Sequence, residues 1–168
     1  ALAATQINSL VTADIQTLVT TQIASLSPSV MSHLLTLQIQ NFLDTQVAEF
    51  TSTQVGVLTS TEIGALSSTE SQAFTTTQAN ALTGKQLGSL TTTVLASFST
   101  AQINALSTSQ VQGLTTAQLN AVSTASLDAV DLTKLSSTQL KGLTTTTIRH
   151  LTDTQVGALT STEVGLLS

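Results

Sequence analysis

The chain has 168 residues, of which 8% are charged and 2% aromatic, with no Trp, Tyr or Cys and a formal net charge of −5. Lack of cysteine excludes disulfides and thiolate metal sites. Four fixed cations, Lys85, Lys134, Lys141 and Arg149, are too few to neutralise a run of phosphates, which excludes nucleic acid as a partner.

From the first residues onward a large apolar side chain recurs every eight positions: Leu2, Leu10, Leu18, Leu26, Leu34, Phe42, Phe50 and so on to Val130. A second apolar position follows five residues later, as in Ile7, Ile15, Ile23, Met31, Ile39, Val47, Val55 and Ile63, with Ser71 and Ala79 as exceptions. The position before the Leu is usually small, as in Ala65, Ala73, Ala81, Ser89 and Gly113. Eight residues overshoot two turns of a continuous α-helix by about 80°, so the Leu positions would spiral around it. In a plain strand, the odd separations of five and three would send the two apolar positions to opposite faces.

A third reading fits. Residues 1–50 carry it least regularly, because Ala3, Val11, Val19, Leu35 and Leu43 stand where the later repeats have Thr or Ser. Pro28 falls just after Ser27, at the first position of a helix capped by that serine. Residues 51–130 are regular octads. Thr51, Thr59, Ser67, Thr75, Thr83, Ser99, Ser107 and Thr115 are each followed three positions on by Gln or Glu. That is the capping box, and the flanking Leu and Ile form a hydrophobic staple. Each octad therefore predicts one helix of about one and a half turns. Gly56, Gly64, Gly88, Gly157 and Gly165 stand where such helices end, as C-terminal glycines do. A five-residue unit, 131–135, breaks the register, and residues 136–168 resume it through Leu143, Leu151, Leu159 and Leu167.

One octad cannot fold alone. Its two large apolar side chains contribute roughly 3–6 kcal/mol, against roughly 8–16 kcal/mol for ordering eight residues of backbone. The expected fold is therefore all-α: a single continuous array over residues 1–168, a narrow solenoid of very short capped helices, one per repeat, with a Leu/Ile/Ala interior and a Thr/Ser/Gln exterior. Polar end caps are missing from this sequence, and there is neither an initiator Met nor a signal peptide. The expectation is a stretch of a longer repeat chain, or ends that stack on other copies, and so a fibre.

No catalytic, cofactor-binding or metal-binding residues emerge. His33 and His150 are over a hundred positions apart, each at the small position. Glu62, Glu70 and Glu163 occupy the capping-box site, and Asp44 and Asp153 the first helical turn, where negative charge suits the dipole. No calcium loop or phosphate loop is present, no Asn begins an N-glycosylation acceptor, and no apolar run is long enough for a membrane span.

The string Leu-Thr-Thr-Ala-Gln-Leu-Asn-Ala-Val at 114–122, and Leu-Thr-Asp-Thr-Gln-Val-Gly-Ala-Leu at 151–159, resemble the threonine-rich repeat regions of very large secreted bacterial exoproteins, often labelled adhesin-like or haem-utilisation-like. The resemblance implies secretion and a cell-surface location. Two isolated histidines give the haem label no support. The expected role is structural and non-enzymatic: the shaft of a surface fibre, filament or adhesin stalk, extended end to end by further repeats or by copies of itself. The alternative is a binding module whose regular Thr face recognises ice or a glycan.

Overall fold

A computed structural model describes residues 3–167; Leu2, the first of the Leu series, lies outside them. Among the described residues there are twenty α-helices of four to six residues, from Ala4–Asn8 to Ser161–Val164, one 3-10 turn at Leu132–Lys134, and no strand. The fold is all-α, with one short helix per repeat, as the capping boxes predict.

The caps explain why helices this short form at the expected places. At Ser52–Val57, the Thr51 hydroxyl accepts the Gln54 N–H at 3.2 Å, and Gln54 Oε1 accepts the Thr51 N–H at 2.7 Å. Ser27 caps Pro28–Met31 with Pro at its start. Val19 and Leu43 adopt the same extended cap backbone without a capping oxygen. They keep the other half of the box, because Gln22 and Gln46 accept their N–H groups at 2.9 Å. The cap side chain is thus dispensable where the glutamine remains.

Helices do end at Gly64, Gly157 and Gly165, but the conformation of these ends departs from expectation. No residue among those described, glycine included, has positive φ, so the glycines are not left-handed caps. Leu58 (φ −58°, ψ 142°) and Thr59 (φ −70°, ψ 160°) show why. The chain leaves each helix through a polyproline-like dipeptide that any L-residue adopts, so no glycine is needed to turn it. At Gly84, Gly88 and Gly113 glycine serves packing instead. A Cβ on Gly113 would overlap the backbone of Gly84, and a Cβ on Gly88 would overlap the Gly113 carbonyl.

Helices three apart in sequence pack together: Ser52–Val57 on Thr76–Ala81, and Gly84–Ser89 on both Ser60–Gly64 and Thr108–Gly113. Three octads therefore close one superhelical turn, and residues 24 apart stack in columns. Phe50, Phe74 and Phe98 form one buried column. Phe42 meets Phe50 edge-to-face, with ring centroids 5.2 Å apart. Ile15, Ile39, Ile63 and Leu87 form another column, each fully buried. Where the caps are apolar, Val11 and Leu35, and likewise Val19 and Leu43, stand one turn apart, all four exposed.

The short unit keeps its place in this stack. Asp131 caps it, accepting the Thr133 N–H at 3.1 Å, and Leu132 and Leu135 fill the two apolar positions. Its 3-10 turn packs on Thr108–Gly113, the helix three units earlier. One corner of the superhelix is made from five residues instead of eight, and the stacking runs on through it.

The glycine contacts give a paired prediction. Gly113→Ala should destabilise the protein by about 1–3 kcal/mol through overpacking. Gly157→Ala, where a Cβ meets nothing within 4 Å, should be neutral or stabilising by about 0.5–1 kcal/mol. Urea unfolding of both variants measures the contrast.

Candidate functional site

The most elaborate constellation in the molecule runs along the superhelix. The capping-box glutamines were expected on the exterior; instead Gln46, Gln54, Gln78, Gln86, Gln102, Gln110, Gln118, Gln139 and Gln155 are buried. The reason is a second job for the same amide. While Oε1 of Gln118 accepts the Thr115 N–H at 2.7 Å, its Nε2 donates to the carbonyls of Leu87 and Leu90, both at 2.8 Å. Those carbonyls lie 31 and 28 residues earlier, where a helix of the preceding turn ends. Gln54 does the same with Ile23 and Leu26, and Gln110 with Ala79 and Leu82. Each glutamine thus starts its own helix and ties off one in the turn before.

The tie follows the chain through the short unit. Lys134 Nζ takes the glutamine's place and donates to the Leu106 carbonyl at 2.8 Å. Beyond it the offsets shorten to 28 and 25 residues, with Gln139 on Val111 and Leu114 and Gln155 on Leu127 and Val130. The shift of three residues equals the deletion.

Where glutamine is missing, one substitute is visible. Thr147 stands at the glutamine position of Thr145–Arg149. Asn120, one turn below, accepts the Thr144 N–H at 3.0 Å and the Thr147 hydroxyl at 2.7 Å, and donates to the Gly142 carbonyl at 2.9 Å. Near the start Asn8 takes over the cap although Gln38 is present: it accepts the Leu35 N–H at 3.2 Å and donates to the His33 carbonyl at 2.8 Å, while Gln38 Nε2 donates to the Asn8 carbonyl at 3.2 Å.

The remaining polar groups stay apart. His33 is exposed, with Nδ1 2.8 Å from the Ser29 carbonyl, and His150 is exposed far along the chain. No group of three or more His, Asp or Glu that could hold a metal ion occurs among the described residues. Asp44 and Asp153 are first residues of their helices, as expected. Glu163 is half-buried; the Thr160 backbone N–H, and then its hydroxyl, hold the Glu163 carboxyl below the ordinary carboxylate value. Glu62 and Glu70 are buried at the glutamine position. Capping accounts for one oxygen of each, at Thr59 and Ser67, but a carboxylate has no proton to give the preceding turn.

The surface is lined by hydroxyls in register. Thr21, Thr45, Thr69 and Thr93 are all exposed and spaced by one turn. Between turns lie shallow grooves, one of them bordered by Ser68, Thr92, Thr93 and Ala121. No described helix is long and apolar enough to cross a membrane.

Two measurements follow. Asn120→Ala should cost about 1–2 kcal/mol by leaving its partners without it, and adding Thr147→Gln, which restores a capping box, should recover most of the loss in urea unfolding. The stability that Glu163 contributes is present above the ordinary carboxylate range and is lost as pH falls through its depressed midpoint. An NMR titration should show that midpoint rising in Thr160→Ala, which removes the side-chain bond and leaves the backbone bond.

A family model of the ALTTAQ repeat matches residues 95–124 and 132–168. Residues 125–131 separate the two matched segments, the second of which begins inside the short unit, and the hexad is visible, with Gly for its first Ala, in Gly113-Leu114-Thr115-Thr116-Ala117-Gln118. None of the curated proteins compared with the chain matches it. Over these two segments the chain is similar to the ALTTAQ repeat, and in this chain the Gln of that hexad, Gln118, ties its turn to the one before.

Proposed function

We propose that this chain is a length of shaft from a secreted surface fibre, filament or adhesin stalk. The observation that carries the reading is the direction of the glutamine ties. They link each turn to the one before it with the same groups, so length is added without a new kind of interface. Further repeats of the same chain, or copies joined end to end, extend such a superhelix by the rule that builds it internally. The surface suits a shaft, being weakly charged and rich in Thr and Ser. The role is structural and non-enzymatic, with no cofactor.

The exposed column Thr21, Thr45, Thr69 and Thr93 favours a second reading. A row of hydroxyls and methyls repeating once per turn is suited to a regular solid or a glycan. Its test is retention of the folded protein on ice or on immobilised glycans, lost when the four are changed together to Lys.

Electron microscopy of the native material tests the shaft. Thin fibres of constant width, lengthening in proportion to the number of repeats, are expected. Compact separate particles would contradict it.

A further inference from the structure

We infer that the superhelix has a built-in point of opening, the seam between residues 27–50 and the turn above them, 51–74. Of the three corners in residues 51–74, only Gln54 ties downward, to Ile23 and Leu26 just before residue 27. The next two corners carry Glu62 and Glu70, 2% and 5% exposed. Each accepts a hydrogen bond from its cap, Thr59 or Ser67, and neither makes a hydrogen bond to the carbonyls that the two donors of a glutamine amide would engage, those of Met31 and Leu34 and of Ile39 and Phe42.

Two further defects fall in the same turn. Ser71 occupies the fully buried position taken by Val47 below it and Leu95 above it, and its Oγ has no partner. Val94, in the turn above, has no donor for the carbonyls of Ile63 and Leu66. Residues 59–66 consequently make no hydrogen bond to another turn, either below or above.

Elsewhere among the described internal units such losses are single and flanked by ties. Ser126 makes none, but Gln118 and Lys134 beside it do. Local openings are drawn from the least tied parts of a structure, and here two adjacent corners are untied together. The seam therefore opens while the flanking turns stay closed, giving the shaft a joint at a fixed place. This inference concerns the chain's own fold and does not rest on the fibre reading.

The test is native-state hydrogen exchange on the whole chain, read by mass spectrometry in peptides covering 59–74, 83–90 and 107–114. Amides of 59–74 are expected to exchange at least tenfold faster than those of the other two stretches. The double variant Glu62→Gln and Glu70→Gln, which supplies the missing donors and matches the regular repeats, is expected to bring 59–74 close to them. Equal protection of the three stretches in the natural chain would overturn the inference, and so would unchanged exchange in the double variant.

Discussion

A five-residue helix has almost no interior. Its first four N–H groups and last four carbonyls lack helical partners, so nearly every backbone group must be satisfied from outside. This constraint shapes the whole molecule, and one side-chain amide per repeat goes far to meet it. Oxygen and nitrogen of Gln118 face opposite ways, one to the start of its own helix and the other to the end of a helix one turn earlier. Isolated helices of this length are unstable in water. Here Gly84–Ser89, for example, is closed at its start by its own Gln86 and at its end by Gln118 of the next turn. The cap hydroxyl is the lesser partner, as Val19 and Leu43 show by lacking it.

The rest of the architecture follows from placing those amides in register. The glutamine reaches the preceding turn only if three units close a turn, which fixes the columns of Phe50, Phe74 and Phe98 and of Ile15, Ile39, Ile63 and Leu87. Close stacking brings backbone against backbone at Gly84 and Gly113, where no Cβ fits. The five-residue unit is tolerated because it preserves what the stack requires. It has a cap in Asp131, apolar side chains in Leu132 and Leu135, and a donor in Lys134 long enough to reach Leu106. A purely apolar stack would slide; ties at fixed offsets set its register.

Much of this was legible in the chain. The capping boxes placed a helix in each octad, and Ser27-Pro28 fixed the register at the least regular section. The superhelical turn was missed although the signal was present, since Phe50, Phe74 and Phe98 are 24 residues apart, three octads, and so are Val11 and Leu35. The second job of glutamine was also missed. Capping alone is served as well by Glu, with a favourable helix dipole besides. A strong preference for Gln over Glu at that position therefore signals a need for a donor as well as an acceptor. The glycines were read as turn formers because local chemistry makes that their commonest use. Their packing role depends on which helices meet, and no local pattern reveals it. The substitution of Asn120 for a glutamine at Thr147 is likewise invisible locally, because the two lie 27 residues apart.

The central claim is that the amide nitrogen, beyond the cap, holds turn to turn. Gln118→Glu isolates it, because the carboxylate keeps the acceptor for Thr115 and loses both donors to Leu87 and Leu90. Gln112→Glu, at an exposed position one unit earlier, controls for the added charge. Urea unfolding should show Gln118→Glu less stable than the control by about 1–3 kcal/mol. Equal stability of the two variants would mean that capping and apolar packing suffice, and that the ties do not hold the superhelix together.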